Sequence, residues 1–489
     1  MKLSALLDGH DHHILQGEAD ASVTAGMTFD AHQVAPGSLY IAVPGHEGGG
    51  PGLVARALER GAVAVLAEGG APPPAAGAGV CVARVADVRA AAALVASRYY
   101  GEPGSAMDVV AVTGTNGKTS VSYMVESVLR SAEGATVGVI GTSGSRIGEQ
   151  AVPMPRSVLS TPEAPDLQYL LGHMRDRHAT SVVLEATSMG LLERRLDHVP
   201  VDVGIFTNLT QDHLDDHGTM ENYKNAKLGL FRGLCERAVV NADDPVSRDI
   251  HALMPGAVTT YGLDAPADYR ASDLFVDAAG TRFTLHHDGR KYPAAVPVPG
   301  RFSVANALAA LAACHLLGHD LPALVAALDR MPPTPGRFER YRTPRGIGVI
   351  VDYAHSPDSL EQVLTTVRGY ATGRVITVFG CGGDRDVTKR APMGAIAGAY
   401  SDLCVLTSDN PRGEDPEAIL DQIAPGLAVT GTPFHRVADR RAAILCALTA
   451  ARPGDVVLVA GKGSEPYQIT GDALLPFDDM SVVRELAAG

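Results

Sequence analysis

Short runs of β-branched and apolar residues alternate along the chain with longer stretches in which apolar residues recur every three or four positions. The first pattern predicts strands buried on both faces, and the second predicts helices that cover them. Near the start, Ser38 to Val43 and Ala62 to Leu66 read as strands. Leu53 to Arg60 and the Ala-rich segment Val88 to Tyr100 read as helices. Ala71 to Gly79 is a Pro/Gly/Ala loop with no core-forming pattern. Gly101-Glu-Pro-Gly104 breaks the rhythm and marks a boundary.

Met107 to Thr113 opens a second unit as a buried strand, followed by a Gly loop and a helix from Lys118 to Arg130. Val137 to Ile140, Ser181 to Leu184, Val203 to Thr207 and Ala238 to Asn241 are further strands, separated by helical stretches such as Asn222 to Phe231. Residues 257–298 alternate as short strands, and Ser303 to Leu317 is an Ala/Leu helix. Pro332-Pro-Thr-Pro-Gly336 is a linker. A third unit has strands at Gly348 to Val351, Val375 to Phe379, Leu403 to Thr407 and Val456 to Ala460. Each of these runs into a polar or Gly-containing turn, namely Asp352-Tyr-Ala-His355, Gly380-Cys-Gly-Gly383, Ser408-Asp-Asn-Pro-Arg412 and Gly461-Lys-Gly-Ser-Glu465. The expectation is an α/β chain of mostly parallel sheets with helices on both faces, with ligands at the carboxyl ends of the strands. The breaks divide it into domains 1–104, 105–334 and 335–489.

Composition narrows the function. The net charge of −14 argues against a nucleic-acid binder held by phosphate contacts. An anionic small substrate remains compatible, because a few Arg residues, a helix N-terminus and a metal can reverse the local sign. With 46% apolar and 20% charged residues the chain is ordinary globular protein rather than disordered. The N-terminal apolar run ends at Asp8, too short for a signal peptide, and no run is long enough for a transmembrane helix. The six cysteines are scattered without a Cys-x-x-Cys pair, which predicts reduced, buried thiols in a cytoplasmic protein and no structural zinc.

The strongest chemical signal is Gly114-Thr115-Asn116-Gly117-Lys118-Thr119, after a strand and opening a helix. Backbone N–H groups of such a loop face phosphates, Lys118 can reach the β- and γ-phosphates, and Thr119 can hold Mg²⁺. Val112 stands where the longer P-loop pattern has its first Gly, so the match is to the short form. Glu185, just past a buried strand, is placed to meet Mg²⁺ directly or through water. Thr207 to His217 is dense in hard ligands, with Asp212, His213, Asp215, Asp216 and His217, and its spacing fits no usual zinc pattern. In Asp409-Asn410-Pro-Arg412 the guanidinium can grip a carboxylate and the Asp an ammonium, the chemistry of a zwitterion reader.

Together these segments resemble the Mur ligase family, ATP-dependent amide-forming ligases of peptidoglycan precursor synthesis. The resemblance runs through Ser160-Thr-Pro-Glu163, Phe206-Thr-Asn-Leu209, Asp212-His-Leu214, Pro299-Gly-Arg-Phe302, Pro335-Gly-Arg337-Phe-Glu339, Asp352 to Pro357, Gly380 to Asp386 and Asp409 to Arg412. It implies ATP and Mg²⁺ as cofactors. Gly114 to Thr119, Asn306, Arg337, Asp352 and His355 would bind the nucleotide. Thr119, Glu185, His213 and Lys227 would hold or orient the metals, with Lys227 matching the lysine that this family carbamylates. Lys118, Glu185, His213 and Lys227 would be the catalytic set. Ala31, His46, Ser160, Thr161, Thr187 and Arg195 would hold a UDP-sugar dipeptide acceptor. Arg390, Asp409, Asn410, Arg412, Gly461 and Glu465 would read diaminopimelate, as the third residue added to the stem peptide. The resemblance also implies a cytoplasmic monomer whose partners are small molecules, with no nucleic acid and no membrane. The chain departs from the family pattern at Asp30-Ala31-His32, where Asp-Ser-Arg is usual. It departs again at Ala186 to Met189 for Val-Ser-Ser-His, at Glu193 for Gln, and at Ser464 for His. Most of these changes lie on the acceptor side. They leave open a paralogous ligase with a different carboxylate acceptor, and, in another class, a non-catalytic nucleotide-binding regulator.

Overall fold

The computed structural model describes residues 1–44, 51–69, 79–153 and 159–488. The chain is α/β and forms two compact units. The first comprises Met1–Ala111, Ala135–Gly204 and Ala226–Arg237, and the second Val112–Gly134, Ile205–Asn225 and Ala238–Gly489.

In the first unit a five-stranded sheet runs in the order His12–Gln16, Cys81–Val85, Ala64–Glu68, Leu39–Ala42, Met27–Thr28. Only the His12–Gln16 pairing is antiparallel. Alternation along Leu39–Ala42 sends Leu39 and Ile41 into one core, with Leu3, Leu6, Val88 and Val95. Tyr40 and Ala42 enter the other, with Val54 and Ala57. The helix Val88–Tyr99 starts where Asp87 accepts a hydrogen bond from the Ala90 N–H at 2.9 Å. Elsewhere in this unit Ser181–Glu185 pairs in parallel with Val137–Gly141. The helix Ala164–Asp176 buries Leu167, Leu170, Leu171 and Met174, at the spacing its sequence predicts. The loop read at Ala71 to Gly79 falls, up to residue 78, outside the described residues.

In the second unit Val258–Gly262, Tyr269–Val276, Thr281–His287 and Arg290–Val296 are successive neighbours, the last three antiparallel. They match the short strands expected over 257–298. The helix Arg301–Leu316 is almost wholly buried, which its run of Ala and Leu requires. Further on, a six-stranded sheet has the order Glu339–Arg342, Gly348–Asp352, Val456–Ala460, Val375–Phe379, Leu403–Leu406, Phe434–Arg436. All pairings but the first are parallel. Ile350, Phe379, Leu406 and Leu458 face the helices Pro357–Tyr370 and Arg390–Tyr400. Their strand neighbours Val349, Val351, Val378, Val457 and Val459 face Arg440–Ala450 and Asp479–Ala488. Each such side chain contributes roughly 1.5–3 kcal/mol over its exposed state. Parallel strands put all their carboxyl ends on one edge, and the four polar turns foreseen in the sequence sit there. Five of the six cysteines, all free, are buried. Among the described residues no helix is long and apolar enough to cross a membrane.

Candidate active site

The phosphate loop joins Asp108–Thr113 to the helix Lys118–Glu133. Gly114 lies at φ +143°, and a Cβ there would collide with Thr207 Oγ1. Gly117 lies at φ +90°, where a Cβ would come within 2.6 Å of Asn306 Oδ1. Two backbone N–H groups are held by one residue: Thr115 N donates to Asn208 O at 2.8 Å and Asn116 N to Asn208 Oδ1 at 2.9 Å. Thr207 Oγ1 donates to Asn116 O at 2.6 Å. Tyr223, buried, donates to Thr115 Oγ1 at 3.2 Å, and burial raises its phenol well above the ordinary value. Lys118 folds over the loop, its Nζ donating to Gly114 O at 3.0 Å and Thr115 O at 2.9 Å.

Residues distant in sequence converge on this loop. Arg337 Nη2 donates to Thr119 Oγ1 at 3.0 Å, and its guanidinium lies 4.2 Å from the centre of the Tyr353 ring. Asp352 braces that arrangement, because its two oxygens accept from Phe338 N at 2.6 Å and Ala354 N at 2.8 Å. Burial pushes its carboxyl up, against the pull of Arg337 and these N–H groups. Asp352 was expected at the nucleotide, but both its oxygens serve the backbone that carries Arg337 and His355. Asn116 Nδ2 reaches Asp358 Oδ2 at 2.8 Å, at the capped start of the helix Pro357–Tyr370.

Beside the loop, Asp212 gathers two histidines and a lysine. His355 Nε2 is 3.5 Å from one carboxylate oxygen and Lys389 Nζ is 3.7 Å from the other, with His213 Nε2 at 3.8 Å. Burial alone would raise this carboxyl, but the hydrogen bond and charge of His355, with Lys389 and His213, hold it well below the carboxylate range. His213, at φ +54°, also lies 3.4 Å from Asp216. Gln211 donates to Thr388 Oγ1 at 3.0 Å, and Arg385 lies 3.4 Å from Asp215.

At the edge of the six-stranded sheet, Asn410 Nδ2 donates to Glu465 Oε2 at 2.9 Å. Lys462, fully buried, donates to the same oxygen at 3.0 Å and to Asn410 Oδ1 at 3.2 Å. Tyr353 donates to Glu465 Oε1 at 3.1 Å. Arg412 sits at φ +50°, its amide donating to Ile469 O at 3.1 Å and its Nη1 to Gly383 O at 2.9 Å. Among the described residues Asp409 Oδ2 is buried without a partner, against Gly461, where a Cβ would collide with it. Arg390 is instead fully buried and fork-bound by Glu414 at 2.7 and 2.8 Å, with Gln422 Oε1 at 2.9 Å. Lys389 and Glu414 carry no sequence signal of their own, and Lys462 has one only as a member of the Gly461–Glu465 turn. Each is an ordinary charged residue until the fold buries it or its partner.

The first unit holds a separate polar group. Glu185, 2% exposed, accepts from Thr142 N at 3.0 Å and Thr142 Oγ1 at 2.9 Å. Ser160 Oγ lies 2.9 Å from that same hydroxyl. Thr161 donates to Glu185 O at 2.7 Å and meets Thr187 Oγ1 at 2.8 Å. Arg195 donates to Thr161 O at 2.9 Å and pairs with Glu163 at 3.0 Å and with Glu193. Arg89 lies 3.1 Å from Glu163 and 3.4 Å from Glu193, so two guanidiniums and two carboxylates close on one another. Lys227 is buried in the last turn of Met220–Leu228. Ala31, expected at an acceptor, puts its methyl into the core with Tyr40 and Val54. His46 lies outside the described residues.

Among the described residues no three His, Cys, Asp or Glu side chains cluster as a metal site. Mg²⁺ needs fewer, since it keeps waters and phosphate oxygens as ligands. The donor set at this helix start, the loop backbone with the Lys118 ammonium and the Thr119 hydroxyl, has the chemistry that a magnesium-bound triphosphate requires.

Comparisons with known proteins agree with this layout. A family described as the Mur ligase middle domain matches residues 112–314, and the Mur ligase, glutamate ligase domain matches 336–463. The chain is 40% identical to the UDP-N-acetylmuramoyl-L-alanyl-D-glutamate–2,6-diaminopimelate ligase of Syntrophomonas wolfei, covering 100% of this chain and 99% of that one. It is 41% identical to the ligase of the same name from Geobacillus thermodenitrificans, covering 99% of each. A solved structure of a ligase of that name is 33% identical, with a TM-score of 0.69 over 100% of this chain and 99% of the other.

Proposed function

The chain belongs to the Mur ligase family, and on that premise we propose that it is the ATP-dependent ligase that joins meso-diaminopimelate to UDP-N-acetylmuramoyl-L-Ala-D-Glu in peptidoglycan precursor synthesis. The observation that carries this reading is the pairing, within one compact unit, of a braced phosphate loop with the Asp409–Arg412 turn. The three-domain division at 104/105 and 334/335, a cytoplasmic location and a monomeric state belong to the same reading.

The reaction has two steps. A carboxylate oxygen of the acceptor attacks the γ-phosphorus, the bond to the β–γ bridging oxygen breaks, and ADP leaves. The amine of diaminopimelate then attacks the acyl carbon, phosphate departs, and the amine gives up a proton. Bound at the Thr119 hydroxyl, Mg²⁺ would neutralise charge on the phosphate oxygens. Lys118 supplies positive charge to the transferring phosphoryl group. Arg337 and His355 close the site from the far side and keep water from the acyl phosphate. Glu185, His213 and a carbamylated Lys227 would hold or orient the metals. Asn306 lies against the loop, where an adenine can be met. Asp409 and Glu465 take ammonium groups and Arg412 a carboxylate, whereas Arg390, enclosed and bound by Glu414, supports the site from beneath rather than reading the amino acid.

The Glu193–Arg195 pair favours a second reading, the same chemistry on a different carboxylate acceptor. One experiment separates the readings: phosphate release with ATP, diaminopimelate and a panel of acceptors, with products read by mass. Release that requires both acceptor and amino acid establishes the ligase. A product only with an acceptor other than the UDP-sugar dipeptide selects the second reading. No release with any acceptor leaves a nucleotide-binding regulator.

A further inference from the structure

The turns Asp409–Arg412 and Gly461–Glu465 follow two strands, Leu403–Leu406 and Val456–Ala460, that are not neighbours, since Val375–Phe379 lies between them. The sheet's own ladder therefore does not fix one turn against the other. Asn410 meets Glu465 and Lys462 between the two turns, and one further side chain ties the bases of the turns together. Arg440 donates from Nη1 to Ser408 O at 3.3 Å and from Nη2 to Ala460 O at 3.1 Å. These are the last carbonyls before each turn. Asp479 holds the guanidinium from its other edge, accepting from Nε at 2.8 Å and from Nη2 at 2.6 Å. Both side chains are 0% exposed. Arg440 opens the helix Arg440–Ala450, which Asp439 caps, and Asp479 opens Asp479–Ala488.

A buried ion pair is a poor source of net stability, since apolar side chains of similar volume serve as well. A planar fork that reaches two separate carbonyls instead sets a distance. The charges of Asp409 and Glu465 also reach Arg440. With Asp479 they outweigh burial, which is the largest influence and favours proton loss, and they hold the guanidinium charged. We infer that Arg440, held by Asp479, is a positioning residue for the amino-acid site, fixing the spacing between Asp409 and Arg412 on one turn and Glu465 on the other. The inference rests on the reading of those two turns as the amino-acid site. Asp479 lies beyond the residues that the family match covers.

The test is steady-state kinetics of the full-length chain with ATP, diaminopimelate and lysine, alongside thermal melting. Three variants are compared with wild type: Asp479→Asn; Arg440→Lys, which keeps charge but loses the fork; and the double variant Arg440→Met with Asp479→Leu, which refills the volume with apolar atoms. Positioning predicts that KM for diaminopimelate rises about tenfold or more and that its kcat/KM advantage over lysine narrows, with KM for ATP unchanged and kcat within about twofold. The double variant should melt near the wild-type temperature and still show the KM defect. A folded double variant with wild-type KM and discrimination would overturn the inference. So would a loss shared equally by ATP and both amino acids. A wild type that ignores diaminopimelate would count against the substrate assignment alone, and the same comparison would then be run with the amino acid it does use.

Discussion

Arg390 and Arg412 lie close in sequence and stand in opposite states. Arg390 is enclosed and bound bidentately by Glu414, whereas among the described residues no acceptor meets the second terminal nitrogen of Arg412. Diaminopimelate exceeds lysine by one carboxylate, and Arg412 is the better placed of the two to read it. Arg412→Ala should raise KM for diaminopimelate by about tenfold or more and narrow its advantage over lysine, with ATP affinity unchanged. Measuring kcat/KM for both amino acids decides the point, and an unaltered ratio would remove Arg412 from the reader. For Glu414, the hydrogen bond from Arg390, ahead of burial, holds the carboxyl below its usual value. A free glutamate titrates near ~4.3, so the pair contributes fully above that pH and loses its contribution as pH falls through the depressed native value. Glu414→Gln should therefore melt lower than wild type at neutral pH, and the gap should close below about pH 4. A gap that stays constant with pH would assign the effect to packing instead.

At the scale of elements, the phosphate loop depends on an absent atom. Gly114→Ala would drive a methyl into Thr207 Oγ1, on the segment whose Asn208 holds the loop's N–H groups. Phosphate release dependent on acceptor and amino acid should fall by several orders of magnitude while far-UV circular dichroism stays native. A fully active variant would show that the loop does not need its observed shape. This loop was legible because strand, Gly loop, Lys and hydroxyl occur in a fixed order. The parallel strands were legible too, since burial on both faces leaves continuous apolar runs. Their edges were less so: the strand read at Ala62 to Leu66 lies at Ala64–Glu68, because Ala62 is buried outside the ladder. Glu339–Arg342 and the hairpin Tyr467–Thr470 with Ala473–Pro476 were missed. None of their residues is buried, so they lack the continuous apolar run that marks the inner strands. Likewise Lys389, Glu414 and Lys462 look like solvated charges until tertiary contacts give them partners.

At the scale of the whole molecule, the second unit gathers its site from remote stretches of chain. Thr119 meets Arg337, Asn116 meets Asp358, and Asp212 meets Lys389. Nucleotide that engages Arg337 should hold the Pro332–Gly336 linker still. Tryptic cutting at Arg330 and Arg337 should therefore slow several-fold with a non-hydrolysable ATP analogue, and Arg337→Ala should abolish protection at Arg330. Equal cutting with and without nucleotide would mean that the linker does not respond to the site. The six-stranded sheet carries a consequence for biosynthesis. Its Val456–Ala460 strand lies between Gly348–Asp352 and Val375–Phe379, yet is made about a hundred residues after the first of them. Until it emerges from the ribosome, two inner strands present bare hydrogen-bonding edges, the condition under which nascent chains pair with one another. A message truncated before that point would yield aggregates for proteases to clear rather than a half-enzyme that consumes ATP without an amino acid to join.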